Sequence, residues 1–462
     1  MTRSTKQTIL TFVATLTLIA VATLAAGLAF TTPAAAQLLA GGGLPGDLGG
    51  LAGPLVGPVG GGTPVVGGLA GGSAGQPVGD VFSNLDGMRL TEGIAPATLL
   101  DLRRERFRAL VESHRAVLDT GEAGEPVRRG EVVLVDPAPA TLAAARAAGF
   151  SVTRESRIDG LGLDYVVLAP PHGKRAAAEL KRLRALAPGA VLGLDPVYEP
   201  AGAGLGGGGG PPAPAVHGGA TIGMIDGGVA AHPALAGAAI EQRGFAPGGP
   251  RASGHGTAIA SLLVGSQGAF AGAARGHGLL VADVFGGDPA AGSAENIARA
   301  LGWLAERRVK VVTISLVGPA NPLIERAVAA VRAQGILVVA AAGNDGPDAP
   351  PQYPASYAGV VAVTGVDRHN QALPEAGRPS HLDFAAPGAD MAAALPGGGY
   401  GAVRGTSFAA PLVAARLAAA GGDGPAAMRA ADAEAVPGKG KVGRGVLCAA
   451  CRVAPRDVGA KK

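Results

Sequence analysis

The sequence has little cysteine, and the cysteines it has cannot hold the fold together. Only two occur in 462 residues, Cys448 and Cys451, close to the C-terminus. A local disulfide between them is compatible with an oxidising compartment, while the Cys-x-x-Cys spacing also occurs in redox and metal sites. Because no further ligands lie nearby in the sequence, we expect neither a metal site nor a redox function here.

A strong excess of charge is also missing. The chain has 39 Lys and Arg against 35 Asp and Glu, a formal net charge of +4, and it has no long basic run. Proteins that bind nucleic acid usually carry a basic patch or stripe. The composition therefore argues against nucleic acid as a partner.

Long apolar runs are absent after the N-terminus. Two basic residues, Arg3 and Lys6, precede an uncharged stretch over residues 8–30 and the small residues Ala34-Ala35-Ala36. This order is typical of a secretory signal peptide, so residues 1–36 predict export to the periplasm or the medium. The alternative is an uncleaved membrane anchor, because the stretch reaches the roughly 20 residues that span a bilayer. The small residues favour cleavage.

Glycine and proline divide the rest of the chain into segments. Residues 37–80 and 201–216 are so rich in both that we interpret them as linkers. A helical segment is predicted at 81–125, and the last residues, 421–462, are interpreted as a C-terminal tail. Two folded regions remain between these segments, at 126–200 and 217–420.

The helix predicted at about 96–119 has one apolar side and several arginines. The apolar side consists of Leu100, Phe107, Leu110, Val111, His114 and Leu118. Its arginines alternate with glutamates, so we expect all of them to be solvated. They are Arg103, Arg104, Arg106 and Arg108.

The two folded regions have different patterns. Region 126–200 reads as strand, helix, strand, strand, helix, strand, which is the ferredoxin-like order. Region 217–420 alternates continuous apolar runs with Ala-rich helices, and such runs indicate parallel strands buried on both faces. The five runs are 221–228, 277–285, 309–318, 335–344 and 359–367. We therefore predict an α/β fold with a doubly wound parallel sheet, preceded by a small α+β domain.

Four polar residues of the second region could carry chemistry. Asp226 and Asn344 each follow an apolar strand, and His255 and Ser407 each open a helix of small residues. Alone, each has an ordinary structural explanation, such as a turn or a helix cap. Together they supply a nucleophile, a base, a carboxylate that orients the base, and an oxyanion donor.

The segments IDGG (225–228), GHGT (254–257), AAGNDG (341–346) and GTSFAAP (405–411) resemble those of the subtilisin-like serine peptidases. The resemblance implies that Asp226, His255 and Ser407 form the catalytic triad and that Asn344 completes the oxyanion hole. It also implies a substrate-binding set consisting of Ser315, Leu316, Val317, Ala341, Ala342 and Gly343. Three residues depart from the family pattern, namely Val317, Phe408 and Leu412, and Val317 could narrow the groove.

The resemblance sets further expectations about partners and cofactors. Substrates would be proteins or peptides, bound in a broad and mainly apolar pocket. Residues 126–200 would be an inhibitory propeptide whose end, near 195–200, lies in the cleft until the linker is cut; the alternative is a permanent accessory domain. We expect no cofactor and no obligatory metal. Two alternative functions remain, a catalytically silent binding scaffold and an enzyme that cuts only itself.

Overall fold

The computed structural model describes residues 96–202, 220–421 and 424–460. The predicted signal peptide (1–36), the linker predicted at 37–80 and most of the linker predicted at 201–216 lie outside the described residues. Within the described part, no helix combines the length and the apolar character that crossing a membrane requires.

The first described part begins with a helix, α1 (Pro96–Ser113), and continues as a small α+β unit. The elements of this unit are β1 (Leu118–Thr120), β2 (Pro126–Val135), α2 (Pro139–Ala147), β3 (Ser151–Ile158), β4 (Leu163–Ala169), α3 (Ala176–Leu186) and β5 (Val191–Pro196). A strand of two residues, β6 (Glu199–Pro200), follows.

The strands of the unit form one antiparallel sheet. Strand order is β5-β2-β4-β3, and β1 pairs with the first residues of β2. Because side chains alternate between the two faces of a sheet, Leu134 and Leu168 pack on α2 and α3. Val135 and Val167 point the other way, into the core of the larger domain. The sheet thus forms a layer between its own helices and that domain.

The larger domain has twelve strands and five helices within its described residues. In chain order they are β7 (Ala220–Asp226), β8 (Ile240–Gly244), α4 (Gly254–Val264), β9 (Ser266–Gln267), β10 (Phe270–Ala271), β11 (Gly278–Asp283), α5 (Ala294–Glu306), β12 (Val311–Ile314), β13 (Leu316–Val317), α6 (Pro322–Ala333), β14 (Leu337–Ala341), β15 (Val361–Val366), β16 (Phe384–Pro387), β17 (Met391–Ala394), β18 (Tyr400–Val403), α7 (Thr406–Ala419) and α8 (Gly424–Glu434).

Seven of these strands form a parallel sheet in the order β16-β15-β14-β12-β7-β11-β8. Helices α4 and α7 cover one face, and α5 and α6 cover the other. The central strands are therefore buried on both sides, which explains why their sequences are continuously apolar. The predicted parallel α/β sheet is confirmed.

The sequence predicted the five central strands but not the two at the edges. Edge strand β8 has the sequence IEQRG, in which polar residues interrupt the apolar pattern. The other edge strand, β16, has only four residues and ends in Pro387. Edge strands need neither a long apolar run nor a full set of amide donors, so their sequences give a weak signal.

Two segments differ from their predictions. The helix predicted to reach residue 119 ends at Ser113, because Leu118 enters β1 and pairs with Arg128 of β2. Residues 424–460, interpreted as a tail, pack on the parallel sheet, where Leu447 is fully buried. The same segment contains a disulfide between Cys448 and Cys451.

Candidate active site

Three neighbouring strands of the parallel sheet end at one edge, and the candidate residues lie there. Asp226 is the last residue of β7, Ser315 directly follows β12, and Asn344 lies three residues beyond β14. The carboxyl ends of parallel strands usually form the ligand sites of α/β proteins. The topology therefore brings together residues that are up to 118 positions apart in the sequence.

Two helices begin over the same edge. His255 and Ser407 are each the second residue of their helix, α4 and α7. Gly405, immediately before α7, has a φ of +138°, and a Cβ there would lie 2.9 Å from Nδ2 of Asn344. Only glycine combines this backbone conformation with so close an approach. The local sequence thus sets the start of α7 directly against the strand ends.

Asp226, His255 and Ser407 form a continuous hydrogen-bonded chain. His255 Nδ1 lies 2.9 Å from both Oδ1 and Oδ2 of Asp226. On the other side of the ring, Nε2 lies 3.0 Å from Ser407 Oγ. All three side chains are buried, with at most 4% of each residue exposed. This geometry orients the imidazole so that Nε2 can accept the hydroxyl proton.

A second buried carboxylate supports the loop beside Asp226. Asp283 ends the neighbouring strand β11 and is the register partner of Asp226. Burial raises the pKa of Asp283, while hydrogen bonds from the amides of Arg251, Gly286 and Phe285 oppose that shift. These bonds fix the loop that follows β11, and the loop leads to one wall of the cleft.

The cleft is occupied by the chain's own segment 198–201. Tyr198 N donates to Gly292 O at 2.7 Å, on one side of the segment. On the other side, β6 pairs antiparallel with β13, so that Glu199 lies opposite Val317. The segment therefore runs as an extended strand between β13 and the loop at Gly292, and peptides that add to a sheet pair in the same way.

This strand ends with a peptide bond beside the hydroxyl of Ser407. Ala201 N donates to Ser315 O at 2.8 Å, and Ala201 O accepts from Ser407 N at 2.9 Å. The same carbonyl accepts a hydrogen bond from Nδ2 of Asn344. A Cβ on Gly202 would lie 2.0 Å from Ser407 Oγ, so the bond between Ala201 and Gly202 lies against the hydroxyl.

The side-chain amide of Asn344 is itself held in place. Its Oδ1 accepts from Thr406 N at 3.0 Å, which leaves Nδ2 directed at the carbonyl of Ala201. With the Ser407 amide, two donors point at one oxygen. Such a pair can stabilise negative charge that develops on a carbonyl oxygen during attack.

Three of the residues predicted to bind substrate pair with this strand, and the other three lie next to them. Leu316 and Val317 form β13 and pair with it directly, and Ser315 receives the Ala201 amide. The side chains of Val317 and Ala341 belong to the apolar cluster that includes Ala201. Ala342 is fully buried behind them, and Gly343 N donates to Thr406 Oγ1 at 3.0 Å.

Sequence reasoning missed three features of the site. Ala201 and Gly202 fall within the linker predicted at 201–216, and Asp345 appears only as part of the segment AAGNDG (341–346). Arg103 and Arg106 were expected to be solvated, which is wrong, since both lie on Asp345 at 3.0 and 2.7 Å. Their predicted helix gave no sign of this partner, 239 residues away from Arg106.

One cluster in the described residues combines three carboxylates, and it lies at the interface between the small unit and α5. Oxygens of Glu131, Asp195 and Glu295 lie within 4.8 Å of one another. Asp195 Oδ1 accepts from the amide of Glu295 at 3.0 Å, and Glu295 also binds Tyr165 and Arg154. Burial and the two neighbouring carboxylates raise the pKa of Asp195 to about 8.

Comparison with known proteins covers mainly the larger domain. A model of the subtilase family matches residues 217–435. Subtilisin BL of Lederbergia lenta is 33% identical over 221 residues, which are 45% of this chain and 80% of that protein. The major intracellular serine protease of Bacillus subtilis (strain 168) is 36% identical over 173 residues, which are 36% of this chain. Those residues span about half of that relative, 54%.

A solved structure extends the likeness of fold beyond this domain. Fervidolysin from Fervidobacterium pennivorans, described as a keratinolytic enzyme related to subtilisin, matches 71% of this chain and 61% of its own, with a TM-score of 0.56. Its sequence identity is 17%, so this match supports the fold alone.

Proposed function

Because the chain belongs to the subtilase family of serine-type endopeptidases, we propose that it hydrolyses peptide bonds through Asp226, His255 and Ser407, and that it first cuts its own Ala201–Gly202 bond. The observation that carries this proposal is the position of that bond. Its carbonyl receives both oxyanion donors, and its nitrogen side lies against the Ser407 hydroxyl.

The first half of the reaction is acylation. Ser407 Oγ attacks the carbonyl carbon of Ala201 while His255 Nε2 takes the hydroxyl proton. Negative charge moves to the carbonyl oxygen, where the Ser407 amide and Asn344 Nδ2 stabilise it. His255 then passes the proton to the nitrogen of Gly202, the C–N bond breaks, and Ala201 is left as an ester on Ser407. Asp226 stabilises the imidazolium that exists between these two proton transfers.

In the second half, water hydrolyses the ester. His255 takes a proton from the water, hydroxide adds to the ester carbon, and Ser407 regains its proton as it leaves. Ala201 becomes a new C-terminus. The strand 198–201 keeps its pairing with β13 and Gly292, so the cleaved unit continues to fill the cleft and acts as an inhibitor. Residues 126–200 would then be a ferredoxin-like propeptide, and their strand order supports that assignment.

The occupied cleft also suggests which substrates fit. The fourth residue before the scissile bond is Tyr198, which is fully buried and donates to Pro319 O at 2.6 Å. A Cβ on Gly318 would lie 2.6 Å from its ring, so the wall of the groove leaves room for an aromatic side chain. The residue before the bond is small, Ala201, and it belongs to the same apolar cluster as Val317. We propose a preference for a large apolar fourth residue and a small first one.

Export completes the proposal. The predicted signal peptide, residues 1–36, would carry the chain to the periplasm or the medium, and protein or peptide substrates would be met there. The disulfide between Cys448 and Cys451 fits an oxidising compartment.

Intact mass and N-terminal sequencing of the purified protein test self-cleavage. Wild type should yield a chain that begins at Gly202, while Ser407→Ala should stay whole. Ser380→Ala is a matched control, because Ser380 is exposed and remote from the triad in the sequence, and this variant should be cut like wild type. Cleavage of Ser407→Ala by itself in purified form would contradict the mechanism.

A peptide-substrate assay separates the alternatives. An enzyme that cuts only itself would yield Gly202 at its N-terminus but would hydrolyse no added peptide after the cleaved unit is removed. A silent binding scaffold would neither be cut nor react with a fluorophosphonate at Ser407.

A further inference from the structure

Asp345 lies directly after Asn344 and carries a charge that the proposed mechanism does not use. Only 8% of its side chain is exposed. Arginines of α1 contact both of its oxygens, since Arg106 Nη2 donates to Oδ1 at 2.7 Å and Arg103 Nε lies 3.0 Å from Oδ2 in an ion pair without hydrogen-bond geometry. Two cations therefore meet one carboxylate at the edge of the cleft.

The second carboxylate on Arg106 comes from the strand in the cleft. Arg106 Nη2 also lies 3.4 Å from Oε2 of Glu199, the third residue before the proposed scissile bond. Burial raises the pKa of Glu199 and the charge of Asp345 adds to that effect, whereas Arg106 opposes it. The side chain at this position of a bound peptide thus lies close enough to Asp345 to share one guanidinium with it.

Cleavage and release of the N-terminal part would remove both arginines together with Glu199. Asp345 would remain on the cleft wall without these partners. The cation of the adjoining loop, Arg404, is already engaged by Glu375 at 2.7 and 3.0 Å. Glu375 lies beside Asp345, because its carbonyl accepts from the amide of Gly346. A further cation, Arg378, follows Gly377, whose amide donates to Gly343 O at 2.8 Å, but its side chain is exposed, so the positive charge that contacts Asp345 comes from α1.

We infer that Asp345 is a specificity-determining residue that favours lysine or arginine at the third position before the scissile bond. This inference rests on the proposed function. In the uncut chain Glu199 is tolerated at that position because Arg106 lies between the two carboxylates. A separate substrate brings no such arginine, so a glutamate at its third residue before the scissile bond is repelled by Asp345. A lysine or arginine at that residue can instead pair with Asp345, as Arg106 does in the uncut chain.

A solvent-accessible ion pair changes an equilibrium by a few-fold, and a like-charge pair costs a similar factor. The ratio of kcat/KM for a lysine peptide over a glutamate peptide should therefore be about 10 for the processed enzyme at low salt. It should fall as salt is added, because the pair is screened by ions.

The test uses enzyme that has processed itself from the full-length chain. The substrates are three fluorogenic peptides that copy residues 198–202 and differ only at the third residue before the scissile Ala-Gly bond. They are Tyr-Lys-Pro-Ala-Gly, Tyr-Gln-Pro-Ala-Gly and Tyr-Glu-Pro-Ala-Gly. Wild type should prefer them in the order lysine, glutamine, glutamate. Asp345→Asn should bring the lysine-to-glutamate ratio close to 1, and Asp345→Lys should invert it. Asp348→Asn removes a charge from an exposed residue three positions on and should keep the wild-type ratio.

Labelling of Ser407 with a fluorophosphonate distinguishes the two ways in which the test can fail. If the enzyme is labelled but cuts the three peptides equally, or cuts none of them, the role of Asp345 is overturned and the assignment of the triad is not affected. Enzyme that is neither labelled nor active overturns the proposed function, and the inference with it. Should Asp345→Asn fail to fold, the order of preference of wild type and its loss in high salt still decide the question.

Discussion

Acidic conditions should strengthen the binding of the cleaved N-terminal part to the enzyme, and Asp195 should be the main cause. This residue lies on β5, is 1% exposed, and faces Glu131 of its own sheet and Glu295 of α5. Burial first, then the two neighbouring carboxylates, raise its pKa from 3.8 to about 8. Dissociation would expose the side chain to water and separate it from Glu295, so the pKa of Asp195 should fall toward its ordinary value.

The sign follows from proton linkage. Between pH 4 and pH 8, roughly, the bound form keeps Asp195 protonated while the free form has lost that proton, so binding takes up one proton. The affinity is therefore full at low pH and is lost as pH rises toward 8. One proton corresponds to about tenfold per pH unit, so the dissociation constant should rise by up to about 100-fold from pH 5 to pH 7. Burial also raises the pKa of Glu131, which acts in the same direction.

A binding assay measures the affinity of the N-terminal fragment without depending on turnover. The N-terminal fragment that ends at Ala201 is labelled, and its dissociation constant is measured by fluorescence anisotropy across the pH range. Asp195→Asn mimics the protonated side chain, so most of the pH dependence should disappear and the affinity at pH 7 should rise. Asp159→Asn is the control, since that side chain is 81% exposed, and this variant should keep the wild-type slope.

A second ionisable side chain of the N-terminal part contacts the larger domain. His114, which directly follows α1, lies 3.5 Å from Asp288. His114→Gln is therefore measured alone and together with Asp195→Asn. A slope that survives Asp195→Asn unchanged, or that disappears with His114→Gln, would refute the reasoning about the carboxylate cluster.

Three further predictions concern the oxyanion hole, the pocket before the scissile bond and the need for a metal. Asn344→Ala should lower kcat by about 100- to 1,000-fold with little change in KM, the loss known for removing this type of donor from a subtilisin, a member of the same family; an unchanged kcat would exclude Asn344 from the oxyanion hole. Val317→Gly should raise kcat/KM for peptides with leucine or phenylalanine before the scissile bond relative to alanine, because Val317 and Ala201 belong to the same apolar cluster; an unaltered ratio would show that another side chain limits the pocket. Activity should persist after exhaustive dialysis against a chelator, and a loss that only calcium restores would contradict the expectation of no obligatory metal.

Much of the site could be predicted because it depends on local sequence. Asp226 and Asn344 follow apolar strands, and His255 and Ser407 open helices of small residues, so topology alone brings them to one edge of the sheet. Glycines at tight contacts, such as Gly405, reinforce that signal. Each of these features follows from a short sequence pattern, so it can be predicted without knowing which distant residues it contacts.

The features that sequence reasoning missed depend on contacts between distant segments. An arginine on an amphipathic helix looks the same whether water or Asp345 lies opposite, and Arg106 is 239 positions from that residue. Likewise, Ala201 and Gly202 look like linker residues, because nothing in an Ala-Gly dipeptide indicates that a cleft surrounds it. The register of β6 on β13 selects the bond that meets Ser407, and that register is a property of the docked unit as a whole.

Under the proposed self-cleavage, the same dependence on the docked unit implies that the cut and the gain of activity are separate events. Cutting one peptide bond leaves the apolar contacts of Val135 and Val167 with the larger domain in place, together with the arginines on Asp345. Since these contacts are made within the complex and do not need the bond, release of the unit should be slower than the cut. Enzyme activity should therefore appear later than the Gly202 N-terminus. This lag should be shorter at pH 8 than at pH 5, because Asp195 stays protonated at pH 5 and the unit then binds more tightly.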